Sequence, residues 1–438
     1  LIKNFPFKPT ADQEEALAQI SRFCLDLRAR QIFLLKGYAG TGKTTLINAL
    51  VKTMPAYKRK TVLLAPTGRA AKVMSQYSGK AAFTIHKYIY RPRQDKGGTT
   101  LFNLRENKAS NTLYIIDEAS MISDLSGDFS DSLLQDLLRF TAEGVNCKLL
   151  MVGDTAQLPP IHTELSPALD KAYLELNYHH EVEQLELQEV MRQEKDSVLL
   201  ENATALRQMQ ADNQLEVPKL RQGPDVIRLM EGFEVEEAMN NSFSDVGREG
   251  TAIVVRSNKR AGMYNRQIRQ RILWQEDEIS TGDFLMVVKN NYFWLPEKSR
   301  ANFIANGDII ELLELYEIKE LYGYRFARVK VRLIDYPEEP AFETMIFLDV
   351  LDMPTASLSW EESKQFYQTV LQDYADIPSK YKRHQEVRQN PYFNALQVKF
   401  SYAITCHKSQ GGQWENVFVE KPWLPDANIP LDYLRWLY

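Results

Sequence analysis

Residues Gly37 to Thr44 read GYAGTGKT, with the apolar run Ile32-Phe33-Leu34-Leu35 before them and Leu46-Ile47-Asn48-Ala49-Leu50 after them. Such a loop obliges the chain to pass from a buried strand through a tight turn into a helix, which commits the region to an α/β sheet. Gly37, Gly40 and Gly42 let the backbone turn so that successive N–H groups and the positive end of the helix face an anion. Lys43 adds a point charge for β- and γ-phosphates, Thr44 offers a hydroxyl to Mg2+, and Thr41 and Thr45 fall within the same cradle. The ligand this grouping predicts is a nucleoside triphosphate with Mg2+.

An acidic pair supplies the other half of such a site. The apolar run Thr112-Leu113-Tyr114-Ile115-Ile116 delivers Asp117 and Glu118 at its carboxyl end, where open α/β sheets place their ligands. Asp117 is expected to hold the hydration shell of Mg2+, and Glu118 to orient or deprotonate the attacking water. A further strand, Lys148 to Val152, ends in Gly153-Asp154-Thr155-Ala156-Gln157-Leu158-Pro159-Pro160. Gln157 there can sense a γ-phosphate, and the prolines stiffen the loop that reports it.

At 438 residues the chain exceeds one hydrophobic core. It is 44% hydrophobic and 25% charged, and no apolar run approaches the roughly 18 to 20 residues of a membrane span. Cys24, Cys147 and Cys406 are too few and too scattered for a disulfide framework or a zinc site, so a reducing cytoplasm is the compartment expected. A net charge of −5 excludes a broad basic coat, but a local cationic groove tracking one nucleic-acid strand is compatible with it. One such place follows the strand Thr61 to Leu64: Pro66 ends the strand, Thr67 can cap the next helix, and Arg69 and Lys72 lie in its first turns. That helix start can hold a phosphate without reading a base, or it can be a capped helix with solvated cations.

Taken together, GYAGTGKT, APTGRAAK, TIHK at Thr84 to Lys87, IIDEAS, GDTAQLPP, LQEVMRQ at Leu187 to Gln193 and YAITCHKSQGGQW at Tyr402 to Trp414 resemble superfamily 1 DNA helicases of the B group, which contains RecD, Dda and the Pif family. The motifs stand in that family's order over nearly the whole chain. Met121 to Asn146 does not resemble the Pif signature, so the likeness points to RecD and Dda. It implies that Gln13 reads adenine, that Arg192 reaches the γ-phosphate from the second motor domain, and that Gly411 joins the nucleotide site. It further implies nucleic-acid contacts by Pro66, Thr67, Arg69, His86, Thr405, His407, Lys408 and Gln410.

The fold expected is α/β, with two RecA-like P-loop motor domains. Residues 1–185 form the first, with a hairpin insertion about 88–111; residues 186–308 and 391–438 form the second; residues 309–390 form an inserted small barrel. The period-two run Arg325 to Leu333 supports the barrel, which the relatives build as a Src-homology-3-like domain. The turn-rich Asp95-Lys96-Gly97-Gly98 marks the hairpin, whose equivalent in the relatives is a wedge that splits the duplex, here bracketed by Tyr90 and Phe102. The basic stretch Asn258 to Arg271 is either a solvated face or a DNA contact.

The activity implied is an ATP-dependent, 5′ to 3′ translocating DNA helicase. An RNA helicase, a protein-stripping translocase and a nucleotide-dependent DNA-binding subunit are the alternatives. Its partners would be single-stranded and forked DNA, with protein partners of a repair or recombination complex left open, no membrane, and a monomeric motor. Leu434 to Tyr438 resembles the start of the last helicase motif without its Thr-Arg pair, and the chain opens on Leu1, so both termini are expected to be incomplete.

Overall fold

The computed structural model describes residues 1 to 421 except 29, 95–99, 126–131, 161–162, 164, 190–196, 213–216, 297–298, 300, 302 and 356. In the first motor domain α1 (Ala11–Leu25) leads into β1 (Gln31–Gly37), which passes through the P-loop into α2 (Lys43–Thr53). β2 (Lys60–Ala65) then feeds α3 (Gly68–Ser78) and β3 (Ala82–Thr84). A hairpin of β4 (Tyr90–Gln94) and β5 (Thr100–Leu104) follows, and then β6 (Thr112–Ile116), β7 (Lys148–Gly153) and β8 (Glu181–Leu187).

Six strands form one parallel sheet in the order β3-β2-β6-β7-β1-β8. Alternation assigns each strand residue to one of two helical layers. β1 sends Phe33 and Leu35 to the layer of Leu17, Ile20 and Leu50, and Ile32 and Leu34 to the layer of Leu134 and Leu137. Every residue of β6 and β7 is buried, so the loops at their carboxyl ends rise from a rigid base. This is the RecA-like core expected, with the P-loop strand beside the strand that carries Gln157.

The hairpin is an antiparallel pair that registers Tyr90 with Leu104 and Pro92 with Phe102. Its turn lies outside the described residues, as does the side chain of Phe102. Tyr90 is buried, and its hydroxyl donates to Asp136 Oδ2 at 2.7 Å. This tyrosine therefore roots the hairpin in the first domain's core, and the expectation of a nucleic-acid contact by its ring is corrected, because the ring is buried.

The second motor domain contributes β9 (Thr251–Val255), and the barrel opens with β10 (Phe284–Val287). β11 (Ile309–Leu321), β12 (Tyr324–Leu333), β13 (Phe342–Phe347) and β14 (Leu396–Phe400) close it. β15 (Ala403–Thr405) and β16 (Asn416–Val419) flank β9 in a parallel three-stranded sheet. The barrel thus takes a strand from each side of 309–390: β10 is four buried residues with no alternation, and β14 alternates over only five residues, too few to mark it as a barrel strand. Within that range Trp360–Gln372 and Lys380–Gln389 are helices, and Phe366, Val370 and Val387 pack on Phe326 and Phe347 of the barrel wall. Odd-numbered Val329, Val331 and Leu333 fill the interior.

The basic segment is a helix, Asn258–Gln267, extended by a wider turn over Ile268–Ile272. Arg269 is buried and clasps Asp283 with two hydrogen bonds at 3.0 and 2.9 Å, while Arg260 pairs with Glu420 and Arg271 with Glu236. Most of this charge is tied to neighbouring carboxylates. Among the described residues no helix is long and apolar enough to cross a membrane.

Candidate nucleotide and nucleic-acid site

The P-loop begins where β1 ends. Gly40 and Gly42 have φ of 83° and 91°, a region that other residues enter only with strain. A Cβ on Gly42 would also stand 2.5 Å from Gln13 Nε2. Lys43 donates from Nζ to the carbonyls of Gly37 at 2.6 Å and Tyr38 at 2.9 Å, folding over the loop where a phosphate would enter. Burial draws its pKa below the usual lysine range, opposed by Asp154, Asp117 and Glu118. Thr41 spends its hydroxyl inside the loop on Tyr38 O at 2.8 Å, whereas Thr44 is exposed at the start of α2 and Thr45 is half-buried beside it.

Gln13 is buried under the loop. Its Oε1 accepts from Thr10 N in a capping box at the start of α1, and its Nε2 donates to Thr41 O at 3.0 Å. The amide braces the loop and keeps one N–H and one lone pair for a base.

Asp117 and Glu118 stand at the end of β6. Asp117 Oδ2 accepts from the Tyr77 hydroxyl at 2.7 Å, and Oδ1 accepts from Glu118 N at 2.9 Å. Burial raises the Asp117 pKa. Glu118 sits at φ 54°, and burial together with the Asp117 charge pushes its carboxyl up to about 7. Ser120 donates to Gln157 Oε1 at 2.8 Å, fixing the amide beside Glu118, and Asp154 shapes the same loop by accepting from Ala156 N at 2.9 Å.

The second motor domain meets this site through its late motif, on the short helix Cys406–Ser409 that follows β15. Gln410 donates to Leu158 O at 2.8 Å, and a Cβ on Gly411 would stand 3.2 Å from Ala70 Cβ and 3.9 Å from Glu118 Cγ. Arg69 of α3 lies over the Trp414 ring at 4.1 Å. The Gln157 loop, the acidic pair and α3 therefore converge on one short segment of the opposing domain. Arg207, on the helix Val198–Ala211, covers the Tyr38 ring of the P-loop at 4.8 Å. Neither Arg207 nor Tyr77 carries a motif, and both come to the site only through tertiary packing. Arg192 lies outside the described residues.

On the side expected to meet nucleic acid, Thr67 caps α3 by accepting from Ala70 N at 3.2 Å, and Pro66 is half-buried before it. The N-terminal turns of α3 are already faced by the barrel. Lys72 pairs with Asp335 at 3.1 Å, and a Cβ on Gly68 would collide with Asp308 Oδ1. Burial pushes the Asp308 carboxyl up to about 7 and the His86 imidazole down to about 4, so at neutral pH His86 offers a polar edge and no charge. Burial also lowers the pKa of His407 and Lys408 beside Thr405, at the end of β15.

These groups suit Mg2+ and a nucleotide. The loop is a cradle that a side chain at Gly42 would fill, and Thr44 and Asp117 are hard oxygen donors. Among the described residues no cluster of three or more His, Cys, Asp or Glu could hold a metal, and Mg2+ at a phosphate site takes only one or two protein ligands.

Residues 9–223 match a family described as AAA domain, and residues 400–438 match the UvrD-like helicase C-terminal domain. With both families matched in this order, the chain belongs to the superfamily 1 helicases of the RecD, Dda and Pif group. It is similar to the ATP-dependent DNA helicase Dda of Enterobacteria phage T4, at 24% identity over 91% of this chain and 89% of the phage protein. It is 32% identical to the ATP-dependent RecD2 DNA helicase of Deinococcus radiodurans over 32% of this chain and 18% of that protein. It spans 37% of the length of an uncharacterised Methanocaldococcus jannaschii protein, 24% identical over 96% of this chain. A Pif1 helicase structure solved for unwinding at forked DNA superposes with a TM-score of 0.48 and 15% identity, covering 98% of this chain and 90% of that one.

Proposed function

We propose that this chain is an ATP-dependent DNA helicase that moves 5′ to 3′ along single-stranded DNA and opens a forked duplex. The observation that carries the reading is that the acidic pair and the Gln157 loop, beside Lys43 of the P-loop in one motor domain, meet Gln410 and Gly411 of the other. ATP supplies the phosphoryl group whose transfer to water drives the cycle, and Mg2+ neutralises its phosphates.

Lys43 and the N–H groups of the loop hold the phosphates, while Thr44 and Asp117 hold the metal's shell. Glu118, with a carboxyl displaced toward neutrality, takes a proton from the attacking water, and Gln157 orients that water. Arg192 reaches the same phosphate from the second domain and stabilises the charge that develops there. Gln410 passes the state of the cleft to Thr405, His407 and Lys408, whose grip on the DNA backbone alternates with that of Pro66, Thr67, Arg69 and His86. The 24% identity to Dda over nearly the full length of both chains supports DNA as the track.

The test combines ATPase assays, with and without single-stranded DNA or RNA, with strand displacement from duplexes tailed on one side. Stimulation by DNA and displacement only with a 5′ tail are expected. Preferential stimulation by RNA, or displacement only with a 3′ tail, would overturn the corresponding part of the reading.

A further inference from the structure

Tyr77 closes the last turn of α3 and lies against the first domain's core, where its ring alone would be unremarkable. Its polar groups are more specific. The hydroxyl donates to Asp117 Oδ2 at 2.7 Å, and the backbone carbonyl accepts from Asn48 Nδ2 at 3.2 Å. Asn48 is one helical turn beyond Thr44 in α2. Tyr77 is thus fixed to the helix that presents the metal-binding hydroxyl and holds the carboxylate expected to serve the same metal.

We propose that Tyr77 is a positioning residue for the magnesium carboxylate. With Oδ2 held by Tyr77 and Oδ1 by Glu118 N, Asp117 has one rotamer, and each oxygen retains a lone pair directed away from its donor. A carboxylate that has to be reoriented when the metal arrives binds it more weakly than one already in place. Removing the hydroxyl also leaves a buried acceptor without its donor. No sequence motif marks this contact, since Tyr77 and Asp117 are 40 residues apart.

The inference rests on the assignment of Asp117 to Mg2+ in the proposed function, and binding measured without turnover separates the two. A fluorescent ADP analogue is bound to the full chain in EDTA and across a Mg2+ titration, for the wild type, Tyr77→Phe, Tyr77→Leu and Asp117→Asn, with thermal melts to confirm folding. Tyr77→Phe is expected to bind the analogue like the wild type in EDTA and to need about tenfold more Mg2+ to reach the tight complex. Tyr77→Leu is expected to need at least as much. A wild-type titration for Tyr77→Phe beside a shifted Asp117→Asn overturns the positioning role, and a shift confined to Tyr77→Leu assigns Tyr77 to packing. An unshifted Asp117→Asn removes the metal assignment and the inference with it.

Discussion

Glu118 concentrates the site's chemistry in one residue. It has a left-handed backbone, which costs a non-glycine residue of order 1–3 kcal/mol, and a carboxyl displaced to about 7 by burial and the Asp117 charge. β6 below it and Ser120 and Gln157 beside it maintain this arrangement. Glu118→Gln keeps the shape and removes the proton acceptor, and Lys43→Ala removes the phosphate's point charge. Each variant is expected to lower ATP turnover by about a hundredfold or more with an unchanged circular dichroism spectrum. Near-wild-type DNA-stimulated turnover in a folded variant would refute its role. Lys43, Thr44, Asp117 and Glu118 were readable in the sequence because they follow apolar strands in short, ordered strings. Tyr77 and Arg207 were not, because their partners lie far away along the chain and no local rule links them.

At the scale of elements, the hairpin β4–β5 was readable from two β-like runs around a Gly-rich turn. Its anchoring was not, since the Tyr90 to Asp136 hydrogen bond joins it to a helix formed much later in the chain. That anchor, with Arg105 Nε donating to Tyr90 O at 2.7 Å, gives the hairpin a fixed base. On the proposal that the hairpin is a wedge, deletion within residues 95–98 should impair duplex unwinding while DNA-stimulated ATPase and streptavidin displacement from single strands persist. Parallel assays decide it: equal loss in both would assign the hairpin to support of the motor fold, and unaffected unwinding would place the wedge elsewhere. The barrel shows the opposite pattern. Alternation in β12 announced it, but of its closing strands β10 is wholly buried and carries no period, and β14 alternates over only five residues.

For the whole molecule, the barrel's packing on the first motor domain makes a pH-dependent contact. Asp308 faces Gly68 across the interface, its Oδ2 accepts from Ala305 N at 2.7 Å, and Oδ1 is buried without a hydrogen-bond partner. Burial raises its pKa from 3.8 to about 7; Asp335 adds to the rise, while the Ala305 bond and Lys87 oppose it. A carboxyl raised in the native state is stabilising in its neutral form, so this contribution is complete below the unfolded pKa and is lost as pH climbs through the window from 3.8 to about 7. Asp308→Asn should melt close to the wild type near about pH 4 and above it near about pH 8, by an amount on the order of a few kcal/mol at most. Thermal melts of both proteins across that range check it, and a pH-independent difference would contradict the assignment.

The joining of the two motor domains by Gln410 and Gly411 at the acidic pair makes one demand on the proposed motor: the nucleotide site and the loops proposed to grip DNA must answer each other. Steady-state ATPase at saturating Mg2+ and ATP, with and without an oligothymidylate, tests this most directly. The predicted result is a rate that rises about tenfold or more with the strand, equivalent to roughly 1.4 kcal/mol or more of barrier, and far less in Gln410→Ala. Equal rates with and without the strand would contradict the coupling of grip to hydrolysis.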